Sequence, residues 1–86
     1  MKIVINRCLG TYRLSHKAYE FLGIKWDGIG RKFKDYRENE DLVKCVETLG
    51  EEASGDDAML KVVEIPDDVA WMIHENYGVE TIEIWH

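Results

Sequence analysis

The sequence predicts an α+β fold: a three- to four-stranded, largely antiparallel sheet with two helices packed on one face. Three observations carry this. Short β-branched runs stand at the N-terminus and in the second half. Two helical stripes with marked ends lie between them. The 86 residues suffice for one domain, which places all elements around one modest core. Helices covering one face of an antiparallel sheet is the layer arrangement that such an element order favours.

The first strand is Lys2-Ile3-Val4-Ile5-Asn6, apolar on both faces and so expected in a central position; Gly10 breaks it. A short helix follows over residues 14–23. Ser15 suits its N-cap, Leu14 and Tyr19 its staple positions, and Gly23 the left-handed residue at its end. Ala18, Phe21 and Leu22 share a face. Residues 24–38 resist assignment: Trp26-Asp27-Gly28 signals a turn, and the rest is either a short strand or a mobile loop. The second helix has Asn39 as cap and Glu40 and Asp41 at the positive end of its dipole, with Leu42, Cys45, Val46 and Leu49 on one stripe. Gly50 ends or weakens it.

Residues 59–65 read as a strand ended by Pro66-Asp67-Asp68. In the tail, Val69, Trp71 and Ile73 alternate before Asn76-Tyr77-Gly78, and Ile82 and Ile84 follow, as in a hairpin. A helix capped by Asp68, with Val69, Met72, Ile73 and Tyr77 on one stripe, fits the same residues. The hairpin is preferred because β-branched and aromatic residues dominate.

Net charge is −6, unevenly spread. Residues 1–44 hold ten Lys and Arg against six acids, and residues 45–86 one Lys against eleven acids. The overall acidity argues against general nucleic-acid binding. The asymmetry implies two halves that neutralise each other, a cationic face for an anionic ligand, or a dipolar subunit that associates head to tail. Two distant cysteines read as reduced thiols, and the N-terminal apolar run is too short for a signal peptide or a membrane span. The expected location is the cytoplasm.

No chemical motif is complete. His16, His74 and His86 lack Cys or His neighbours at ligand spacing, so no metal or cofactor is expected. Cys8, beside Arg7, is a weak nucleophile candidate and Cys45 a core residue. The carboxylate pairs Glu51-Glu52, Asp56-Asp57 and Asp67-Asp68 fit turns and caps. Gly28-Ile29-Gly30-Arg31-Lys32 lacks the strand and helix that flank a phosphate loop. Arg31, Lys32, Lys34 and Arg37 alternate with Phe33 and Tyr36, a pattern suited to gripping phosphate and stacking a base. Candidate ligand-binding residues are therefore Arg7, Arg13, Arg31, Lys32 and Arg37. Trp26 and Trp85 are candidate interface residues, because a tryptophan at a chain end normally docks somewhere; a homo-oligomer would also enlarge the core.

Lys2-Ile3-Val4-Ile5-Asn6-Arg7-Cys8, followed by Leu14-Ser15 and Ala18, resembles a group of small, largely uncharacterised bacteriophage and prophage proteins. Leu42-Val43, Val46-Glu47, Leu49-Gly50-Glu51, Ala53-Ser54-Gly55 and the run Leu60 to Val69, with Ile65-Pro66-Asp67-Asp68, are similar to its later segments. Leu9-Gly10-Thr11-Tyr12 departs from it where a more glycine-rich turn is expected. The resemblance implies a phage setting in a bacterial host and no known activity. The leading expectation is a non-enzymatic protein that binds and inhibits a host protein. The alternative is a binder of a small anion such as a nucleotide, at a basic pocket or subunit interface. A Cys- or acid-dependent enzyme ranks third.

Overall fold

The computed structural model describes residues 1–85. In chain order it contains β1 (Lys2–Asn6), α1 (His16–Leu22), α2 (Glu40–Leu49) with a 3-10 turn at Gly50–Ala53, β2 (Leu60–Glu64), β3 (Ala70–Asn76) and β4 (Val79–Trp85). The class is α+β, with four antiparallel strands and two helices. The strands form two ladders, β1–β2 and β3–β4.

β1 has apolar side chains buried on both faces, as its composition predicts, but a strand on one edge only. Along that edge Ile3 stands opposite Val63 and Ile5 opposite Lys61. Its second edge is closed by other means. The Val4 N–H donates to the Arg37 carbonyl at 2.9 Å, and the Asn6 N–H donates to the Glu80 carboxylate at 2.6 Å. A loop and a side chain thus satisfy the groups that a third strand would have taken.

Strand alternation divides the core in two. Val4 and Leu60 face α1 and α2, where Tyr12, Leu14, Ala18, Tyr19, Leu42, Cys45 and Val46 are buried. Ile3, Ile5 and Ile65 face the other way, toward Trp71, Ile73 and Ile82 of the second ladder. The helices cover one face of β1–β2 and the β3–β4 hairpin lies on the other.

Local chemistry sets the ends of these elements. Ser15 Oγ accepts the Ala18 N–H at 3.1 Å, and Gly23 closes α1 at φ 70°. Asn39 Oδ1 accepts the N–H groups of Asp41 and Leu42 at 2.9 and 3.1 Å. Gly50 ends α2. The tail is the hairpin; its helical alternative, with Asp68 as a cap, does not occur. Tyr77 and Gly78 turn the chain at φ 55° and 90°, the left-handed pair that a two-residue hairpin loop requires.

Residues 24–38 form neither helix nor strand. They run through successive turns held from outside by two buried tyrosines. The Tyr12 hydroxyl donates to the Lys32 carbonyl at 2.7 Å. The Tyr19 hydroxyl accepts the Lys32 N–H at 2.9 Å and donates to Asp27 at 2.6 Å. Among the described residues no helix is long and apolar enough to cross a membrane.

Candidate anion-binding cleft

The segment Arg13–Ser15 is threaded between two others. Its Leu14 N–H donates to Gly30 O at 2.6 Å, and its Arg13 carbonyl accepts the Gly55 N–H at 2.8 Å. The approach is so close that a Cβ on Gly30 would sit 2.3 Å from the Leu14 oxygen, and one on Gly55 2.9 Å from it. Both positions therefore need glycine. The Arg13 stem lies across the same two residues, its Cγ about as near to each missing Cβ, at 3.1 and 3.0 Å. Packing thus holds this arginine in place. Its Nε is buried with no hydrogen-bond partner among the described residues.

Around Arg13 opens a cleft of about 370 Å³, lined also by His16, Trp26, Ser54 and Asp56. His16 stacks on Trp26 with ring centroids 3.8 Å apart, and Tyr19 meets the edge of Trp26 at 4.9 Å. Ser54 Oγ accepts the Leu60 N–H at 2.9 Å, which leaves its own hydrogen for another acceptor. Asp56 shares the rim without an ion pair to Arg13. A guanidinium, a hydroxyl and an imidazole thus line one cleft, a donor set suited to an oxyanion, beside an aromatic stack that a planar ligand can extend.

The other basic candidates do not join this cleft. Arg37 is interior. Its guanidinium grips Glu80 in bidentate fashion at 2.6 and 2.8 Å, donates to Lys34 O and Val4 O, and lies 4.0 Å over the Tyr12 ring. Residues 5% and 3% exposed hold this pair. It is one concrete link between the basic and acidic halves. Arg7 is exposed and donates to the Glu80 carbonyl at 2.8 Å. Lys32 is exposed, its Nζ 5.5 Å from the Phe33 ring centre. Arg31 is half-buried and, like Arg13, has a buried Nε without a partner among the described residues, but it does not line the cleft. Trp26 is half-buried in the cleft wall, and Trp85 is 47% exposed at the end of β4.

Asp27 organises the loop behind the cleft. It accepts the N–H groups of Gly30 and Ile29 and the Tyr19 hydroxyl. These donors favour the charged form, and the Gly30 bond leads in holding its carboxyl down at about 2. Burial foremost, and then the Asp27 bond, push the Tyr19 phenol up to about 12.

The sequence marks His16 only as a histidine without metal-ligand spacing, and gives no binding role to Ser54, Gly55 or Glu80. His16 and Trp26 stand ten positions apart with no shared period, and Glu80 is one acid among many; the Ser15 cap signal marks only the start of α1. Among the described residues no group of three or more His, Cys, Asp and Glu side chains is placed to hold a metal ion. His86 lies outside the described residues. No family model, curated protein or solved structure matches the chain.

Proposed function

We propose that this chain is a small non-enzymatic binding protein that holds an anion of the nucleotide class in the Arg13 cleft. The observation that carries this is the Arg13 side chain, its stem packed on Gly30 and Gly55 and its Nε buried without a partner among the described residues. A cation already stripped of part of its hydration and lacking an acid is suited to a phosphate or carboxylate. The His16–Trp26 stack supplies a flat wall for a ring, and the cleft volume falls in the range of small-ligand sites. AMP is the first probe. Isothermal titration should show binding to the wild-type chain, weakened about tenfold or more by Arg13→Met, the loss of a charge-assisted contact. Equal affinity in both proteins would sink the assignment.

A second reading is a phage-type protein acting on a host protein in the bacterial cytoplasm. It is favoured by the outward face of the hairpin, where Met72 and Trp85 are 45% and 47% exposed. Register puts Ala70 beside Trp85 on that same face.

A further inference from the structure

The outer edge of β4 is open, and its register shows which groups it offers. Asn76 pairs with Val79 across the two-residue turn, so hydrogen-bonded and non-bonded pairs alternate from there. The main-chain N–H and C=O of Glu80, Ile82 and Ile84 therefore point away from β3. The Glu80 carbonyl is met there by Arg7. Among the described residues, no strand pairs with the outward donors and acceptors of Ile82 and Ile84.

Beside this edge lies a groove of about 360 Å³ between the two ladders. Val63 of β2 and Ile65, one residue past its end, form its floor, and Ile82 and Ile84 its wall. Arg7 and Lys61 mark one end. Alternation orders them: Lys61 and Val63 share one face of β2 and Ile65 continues it just past the strand's end, so the groove runs from cationic to aliphatic along its length. Among the described residues no acid lines it, in a chain of net charge −6.

We infer that this groove is a strand-addition site for an extended, acidic-aliphatic segment of a partner protein. The segment would pair with Ile82 and Ile84 through its main chain. Two aliphatic side chains at alternate positions would lie on Val63 and Ile65, and a carboxylate two residues further on would meet Arg7 and Lys61. The distance from Glu80 to Ile84, about 13 Å at roughly 3.3 Å per residue, matches three inward side chains. Charge complementarity selects this occupant: the edge alone would accept any strand, but the cationic end favours an acid there. The inference gives the second reading a defined surface and is independent of the Arg13 cleft.

The probe is an acetylated, amidated heptapeptide with Ile, Val and Glu at alternate positions separated by Thr. Its twin carries Lys in place of Glu. The Glu peptide should slow amide exchange at Ile82 and Ile84. Lys61→Glu should weaken its binding about tenfold or more and favour the Lys twin, with AMP binding unchanged. AMP binding and the melting curve of the variant together report that it remains folded. Equal binding of both peptides to the wild-type chain would overturn the inference, as would unprotected amides in the presence of the Glu peptide. Amides already protected in a free protein that sediments as a dimer would also overturn it, assigning the groove to a second copy.

Discussion

Glu80→Ala removes both oxygens from the Arg37 guanidinium and the acceptor from the Asn6 N–H. Arg37 then remains interior, over the Tyr12 ring, with a charge and no counter-ion. Removing one partner of a buried pair costs about 3–5 kcal/mol, because the surviving charge stays desolvated. A chain of 86 residues at about 0.05–0.15 kcal/mol per residue has a total stability of about 4–13 kcal/mol. The single change therefore takes about a quarter or more of the stability, and the melting temperature falls by about 15–30 °C. Urea unfolding followed by tryptophan fluorescence measures it. Arg37→Met with Glu80→Leu leaves no buried charge and should recover much of the loss, so the two sites are strongly non-additive. A cost below about 1 kcal/mol for Glu80→Ala, or a double variant as weak as the summed singles, would refute the assignment of the pair as a buried, coupled unit.

Two further outcomes are expected. Asp27, held at about 2 in the fold against an ordinary 3.8, binds its proton less readily when native. Its contribution is complete above about pH 4 and is lost as pH falls through 2. Asp27→Asn should therefore flatten the acid limb of the stability curve between those values; superimposable limbs would contradict the hydrogen-bond account. Burial pushes the Cys45 thiol up to about 11, so alkylation at pH 8 should modify Cys8 in the native protein and Cys45 only after unfolding. Equal labelling by intact mass would show that α2 does not shield its thiol.

What proved legible in the sequence was local. Ser15, Gly23 and Asn39 act within one turn of themselves, and the Leu42, Cys45, Val46 stripe reports one helix face. Turn chemistry at Tyr77-Gly78 and β-branched strands mark the hairpin. What did not read was set by distant partners. Residues 24–38 take their path from Tyr12 and Tyr19, which act on Lys32 from 20 and 13 positions away. The basic and aromatic alternation there shows charge but not burial: Arg37 faces Glu80, 43 positions on, while its neighbours stay at the surface. The split into two ladders was hidden for the same reason, because strand composition reveals faces and not which edge an arginine segment occupies. The cleft joins Arg13, Trp26 and Ser54 from three separate segments.

The Arg37–Glu80 contact also bears on how the molecule opens. A hairpin lying on the outside of a ladder is ordinarily the first unit to lift away, as a partial unfolding event of low free energy. Here lifting β4 would withdraw the counter-ion from an interior guanidinium and the acceptor from the Asn6 N–H of β1 in the same motion. The peripheral element is thereby tied to the fate of the centre. Local breathing of the hairpin and global unfolding are therefore expected to be nearly the same transition.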